Sequence, residues 1–402
     1  MTHRILVSMA VLLALAIPSP LTAQNADRHQ KQPRYIVYSL GAPLGGTASG
    51  AAAIDDLGLV AGDSNLTGDT TEHAFLWAYG ANLDLGTLGG PNSAVLWPGL
   101  NNRGEAVGIS DTSMMDPLGE TWSCGAFLPA SHTGYTCVGF RWKDGTMTAL
   151  PTLGGNNGFA TAVNDSGHAV GWAETATHDP TCTGNQVLQF LGAVWGANGK
   201  VLQQLKPFSN DPDSAATGIN DQGQVVGISG KCGSAVGDLS AIHAVLWENG
   251  TVKDLGNIGA HAWNTPMAIN NRGQIVGFAD VKGDDHGNNP NFHAFLWTRE
   301  HGMQNLGTLS GNAFSEALGV NEEGQIVGVS YAAGFTNPHA FIYEAGKMTD
   351  LNTLIPGDSG LTLQFAQDIN DLGVIVGQAV GQGSGACGAS SDGCAFVAIP
   401  TK

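Results

Sequence analysis

The stretch INDQGQVVGIS (residues 219–229) recurs along the chain with few changes. It returns as INNRGQIVGFA (269–279), VNEEGQIVGVS (320–330) and INDLGVIVGQA (369–379). Looser copies are LNNRGEAVGIS (100–110), VNDSGHAVGWA (163–173) and IDDLGLVAGDS (54–64). Each copy carries the chemistry of a tight hairpin turn. The Asn or Asp bonds its own backbone two residues on, and the glycine takes the positive φ that the turn requires. The turn glycines Gly58, Gly104, Gly167, Gly223, Gly273, Gly324 and Gly373 are spaced by 46, 63, 56, 50, 51 and 49 residues. Seven copies at this period define a repeat architecture, so the length of 402 residues does not divide into independent domains.

Working outward from the turn, each repeat parses into four short strands. The first ends at the turn and is built of small residues, as in SAATGIN (214–220) and FATAVN (159–164). The second is the aliphatic run after the turn. A loop of variable length leads to a third strand, HAFLW at 73–77 and 293–297 and HAVLW at 243–247, with variants VGFRW (138–142), LGAVW (191–195), HAFIY (339–343) and CAFVA (394–398). A short turn leads to the fourth, as in VKDLG (252–256). One such sheet is too small to be stable alone, whereas sheets stacked around an axis bury each other's faces. Small side chains on the first strand suit the crowded centre. The last repeat lacks a fourth strand, and an orphan strand of that type, YIVYSLG (35–41), opens the repeat region. Pairing the two removes two free edges. The sequence therefore predicts an all-β fold, a seven-bladed β-propeller of four-stranded antiparallel blades. Its ring is closed by the N-terminal strand pairing with the C-terminal repeat. An open solenoid is the alternative.

Composition narrows the function classes. Only 12% of residues are charged, the formal net charge is −18, and no basic stripe exists to neutralise phosphates. Nucleic acid and anionic membrane surfaces are thereby disfavoured as partners. The opening MTHRILVSMAVLLALAIPSPLTAQ has Arg4, an apolar run from Ile5 to Ile17 and a small-residue exit near Ala23. It reads as a signal peptide over 1–24, followed by a short linker at 25–34 and a single propeller domain at 35–400. No later segment has the length of apolar chain that a membrane span needs. A secreted protein is expected, extracellular or periplasmic and monomeric. In such a compartment Cys124, Cys137, Cys182, Cys232, Cys387 and Cys394 read as disulfides, and none sits in a C-x-x-C spacing. The expected pairing is Cys124–Cys137 and Cys387–Cys394, each pinning one loop, with Cys182–Cys232 joining the loops of adjacent repeats.

The ordered set HAFLW, DLGTLGG and IN-x-x-GQVVG resembles the bacterial extracellular HAF repeat family. That family is named for His-Ala-Phe, here at His73, His293 and His339, with His-Ala-Val at His243. Val138, Leu191 and Cys394 replace the histidine without disturbing the period. The resemblance spans residues 35–400 and implies export and architecture. It brings no catalytic residue to this chain.

The repeated residues read as structure. Copies of one histidine on separate blades cannot converge on a substrate, so they are expected to tie neighbouring strands through backbone hydrogen bonds. Trp77, Trp142, Trp195, Trp247 and Trp297 hold one repeat position and are expected to pack between blades. Function is expected in the loops between second and third strands, at 63–72, 111–137, 174–190, 229–241, 280–291, 331–338 and 380–394. Candidate binding residues there are Asp116, Trp122, His132, His178, Asp280, Asp284, Asp285 and His286. Asp280, Asp284, Asp285 and Asn288 are hard oxygen donors that could hold calcium, though without the ordered spacing of a calcium loop; no other cofactor is indicated. Glu174, His178, Asp179 and His132 are the candidate catalytic set. The function expected is a binding module for an extracellular protein, glycan or surface polymer, with a propeller hydrolase or lyase as the alternative.

Overall fold

The computed structural model describes residues 34–120, 122–129, 134–182, 186–232, 242–283, 291–381, 387 and 393–401. The expected signal peptide and nearly all of the linker lie outside these residues. From Arg34 onward the chain forms seven four-stranded antiparallel sheets, six of them with their strands in sequence order from the axis outward. The fourth blade is typical, with strands Asp213–Ile219, Val225–Gly230, His243–Glu248 and Thr251–Asp254. The seventh departs as the strand count requires. Leu361–Ile369, Ile375–Gly381 and Cys394–Pro400 are completed on the outside by Tyr35–Gly41. Tyr35 stands opposite Pro400 and Val37 opposite Ala398 in that seam, and Tyr35 is only 1% exposed. The chain is a closed seven-bladed β-propeller.

The repeated residues acquire physical reasons in this frame. Gly223 sits in the turn at φ +76°, the left-handed region that a side chain disfavours. The glycine after Val-Val answers a different need. The inner strand shifts register between Ala216 and Gly218, and a Cβ on Gly227 would drive into the carbonyl of Ala215. Close backbone approach thus fixes that second glycine.

The core is distributed between blades rather than gathered in one place. Val226 and Leu246 of blade 4 pack with Ile275, Phe295 and Trp297 of blade 5. The strand-three tryptophans sit at these seams as expected. Trp195 Nε1 donates to the Pro151 carbonyl at 2.9 Å, and Trp247 Nε1 to that of Lys206 at 2.7 Å, each reaching the segment that leaves the preceding blade. The histidines tie neighbouring strands, but through a side-chain partner rather than through the backbone hydrogen bonds expected of them. His243 Nδ1 lies 2.8 Å from Asp254 on the fourth strand and His339 Nδ1 2.8 Å from Asp350, while His293 uses Asn305 at 3.1 Å. The Asp or Asn of the DLG segment also accepts the N–H of the glycine after next, as Asp254 does from Gly256 at 2.7 Å. One carboxylate so holds both the histidine and the step to the next blade.

Candidate functional site

The ring has two unlike ends. At the end formed by the repeated turns, two hydrogen-bond circuits run around the axis. The Asn side chains form the inner one. Asn101 Nδ2 donates to the Asn164 carbonyl at 2.9 Å, Asn164 to Asn220 at 3.0 Å, and so on as far as Asn370, which donates to Asp55. The residue after each Asn forms the outer one, with its backbone N–H donating to the next blade's side-chain oxygen. It runs from Asp56 onto Asn102 at 2.9 Å and closes from Asp371 onto Asp56 at 3.0 Å. Asp165, Asp221 and Glu322 line the shallow cavity of about 200 Å³ between these circuits. Their carboxylates are engaged in the outer circuit, so they read as structure.

At the other end emerge the variable loops, and here the disulfides anchor them. Cys124–Cys137, Cys182–Cys232 and Cys387–Cys394 are all formed, as the sequence predicts, with Cα separations of 5.7, 4.7 and 5.5 Å. The second joins blades 3 and 4. A carboxylate network does the same for blades 2 and 3. Glu120, wholly buried in the long 111–137 insertion, accepts the N–H groups of Val187 at 2.9 Å and Leu188 at 2.6 Å. Asp116 in the same insertion accepts from Asn157 Nδ2 at 2.8 Å and from the N–H of Leu118 at 2.7 Å. The same insertion holds Met114, Met115 and Leu118 out in solvent at 66, 60 and 48% exposure.

The other expected site residues separate into two groups. Glu174 is buried and accepts the N–H groups of Asn156 and Asn157 at 3.0 and 2.8 Å, with Asn157 Nδ2 at 3.1 Å and Gln186 Nε2 at 3.0 Å. Burial raises its pKa, and the charge of Glu120 adds to that. It is a brace between loops. Asp179 is likewise buried, accepting from Thr181 N at 2.7 Å and Thr181 Oγ1 at 2.9 Å and sharing a hydrogen bond with Asp213. Burial pushes Asp213 up to about 8, and its bond to Asp179 adds to the effect. Although burial alone would raise Asp179, that bond and those from Thr181 hold it below the ordinary carboxylate range. Both groups are buried and closed to a substrate. His178, their chain neighbour, faces solvent at the end of strand Ala169–His178. The structure therefore does not assemble Glu174, His178 and Asp179 into one site.

Trp122 opens the short helix Trp122–Phe127 on the blade 2 insertion. Asp280 ends strand Ile275–Asp280, buried, and accepts the N–H of Asn291 at 3.3 Å. His132, Asp284, Asp285, His286 and Asn288 lie outside the described residues, and with them most of the suggested calcium loop. Asp179 also lies close to the sulfurs of Cys182 and Cys232, but both sulfurs are spent in their disulfide.

Sequence reasoning missed what fills the axis. The inner strand of blade 2 stops early, at Gly89–Ala94, and the irregular Val95–Leu100 stretch throws Trp97 inward. Its ring centroid lies 5.1 Å from Phe159 of blade 3 and 5.4 Å from Phe127. Trp97 also joins a cluster with Met267, Leu318 and Phe365 from blades 5, 6 and 7. The signal was present. Blade 2 carries two more residues between its inner serine, Ser93, and its ring asparagine, Asn101, than blade 4 has between Ser214 and Asn220.

No family model matches the chain, and neither does any curated protein sequence. Among solved structures it is similar to an acylaminoacyl peptidase from Pyrococcus horikoshii, at 9% identity and a TM-score of 0.48, over 84% of this chain and 50% of that one. It is also similar to an oxidoreductase of Thermus thermophilus described as a glucose dehydrogenase, at 9% identity and a TM-score of 0.28, over 91% of this chain and 100% of that one. The chain thus spans half the length of the peptidase. Neither likeness brings an activity to this chain.

Proposed function

We propose that this chain is a secreted binding module of HAF-repeat type, which recognises an extracellular polymer or protein through its loop face. The observation that carries this reading is the exposure of Met114, Met115 and Leu118 on an insertion tied down by Cys124–Cys137, Asp116 and Glu120. A loop ordered before it meets its partner loses little entropy on binding. Three disulfides fit an oxidising compartment, and among the described residues no helix is long and apolar enough to cross a membrane.

The test is an array of glycans, cell-surface polymers and extracellular proteins probed with the intact chain. M114S/M115S should abolish the hits, while D165N/D221N on the turn face should leave them. Loss in the turn-face variant with retention in the methionine variant overturns the reading.

A further inference from the structure

Five positions before each ring Asn or Asp, the inner strands bring one layer of residues level around the axis. It includes Phe159, Thr265, Glu316 and Phe365, with Gly50 in blade 1. Around this layer Trp97, Phe278, Tyr331 and Phe365 gather over buried Met267, Leu318 and Val329, yet each of the four aromatic side chains keeps contact with solvent. The Tyr331 ring lies 6.2 Å from Phe365 and 6.0 Å from Phe335, itself 46% exposed. Its hydroxyl lies near enough to the carboxyl group of Glu316 for the two to interact, and Glu316 shares its strand face with Phe314, whose partner across the ladder is Tyr331. In blade 1 the carboxylate of Asp63 lies beside Gly50. Its Oδ1 lies 3.2 Å from where a Cβ on Gly50 would stand. No Lys or Arg occupies these inner-strand positions or the positions after the second-strand glycines, in a chain of net charge −18.

An aromatic wall with a carboxylate set into it has one chemical preference. Ring faces and carboxylate both attract positive charge, and the rings favour a cation that sheds its water easily. We propose that this axial site binds an organic ammonium group, seated against Tyr331 and Phe365 with Glu316 as its counter-ion. The assignment rests on the loop face being the binding surface. It names the chemistry that this surface admits at its centre.

The intact chain is titrated with choline and with its neutral isostere 3,3-dimethylbutan-1-ol, followed by calorimetry and indole fluorescence. Choline should bind saturably, with the isostere weaker by about tenfold or more. E316Q and F365L should each weaken choline by about tenfold while leaving the far-ultraviolet dichroism of the sheets unchanged. A trimethyllysine peptide forms the second arm. If it binds more tightly than choline the ammonium belongs to a protein partner, and if choline binds more tightly it belongs to a small solute. Absence of choline binding, equal binding of the isostere, or indifference to E316Q overturns the proposal. Should E316Q fail to fold, unchanged choline affinity in F365L has the same force. Array hits that survive while choline fails remove the ammonium assignment and leave the loop-face reading standing.

Discussion

Asn370 Nδ2 donates to the carbonyl of Asp55 at 2.9 Å, across the seam where the last blade meets the first. Asp55 then breaks the pattern. Six ring positions hold Asn and pass a hydrogen bond on, but the carboxylate of Asp55 has no N–H to give to Asn101. Among the described residues the Asn101 carbonyl receives only the N–H of its own turn, from Gly104 at 3.0 Å. Asp55→Asn should complete the circuit. Its Oδ1 can still accept from Leu57 and Leu59, as the Asn oxygens of other blades do within their own turns. The expected gain is about 1 kcal/mol, a rise of about 2 °C in the melting midpoint by calorimetry. A lower midpoint would mean that the carboxylate has another task.

Stability should fall as pH rises from about 5 toward 9. Burial raises Asp213 to about 8 and Glu316 and Asp368 to about 7, and it also raises the facing pair Asp63 and Glu72. Such groups bind protons in the folded state that the unfolded state has released. Their contribution is therefore complete below the unfolded carboxyl pKa and is lost as pH climbs through the folded values. Asp179 and Glu344, held low, act oppositely and lose their contribution as pH falls below the ordinary carboxyl range. Melting followed across pH should peak on the acid side of neutrality. Asp213→Asn, which keeps a donor for Asp179, should flatten the alkaline limb, and an unchanged slope would refute the assignment.

The disulfide between blades 3 and 4 closes a separation of 50 residues. Replacing both Cys182 and Cys232 with Ala should cost about 3 kcal/mol. The same variant should weaken loop-face ligands while leaving the far-ultraviolet dichroism of the sheets intact. Equal melting of the variant and the parent, each with and without reductant, would show that the carboxylate braces suffice.

At the closing seam, Tyr35→Ala should cost about 3 kcal/mol by emptying a fully buried aromatic position. Removing the chain through Gly41 goes further, because it leaves Cys394–Pro400 as an open edge. Size-exclusion chromatography should then show association, and a monomeric truncated form would argue against the seam as the guard of that edge.

The frame of this molecule is legible in the sequence because its determinants are local and repeated. A turn glycine, a second glycine under an inner-strand carbonyl and a seam tryptophan each act within one blade or its neighbour. The cysteine pairing followed once loops were assigned to blades. The axis was illegible for the opposite reason. Trp97, Glu316, Tyr331 and Phe365 come from blades 2, 6 and 7, and periodicity shows what each blade shares rather than where exceptions meet. Glu174 misled because composition cannot tell a reactive carboxylate from one satisfied by four N–H groups.

The outer circuit from Asp56 round to Asp371 is complete at every step. Each blade takes its bearing from the next at this one level, remote from the loops. An insertion at the opposite end leaves every one of these seven hydrogen bonds untouched. The alignment of the wheel and the inventory of its rim are thus free to vary separately, so a change of ligand would require no change of geometry.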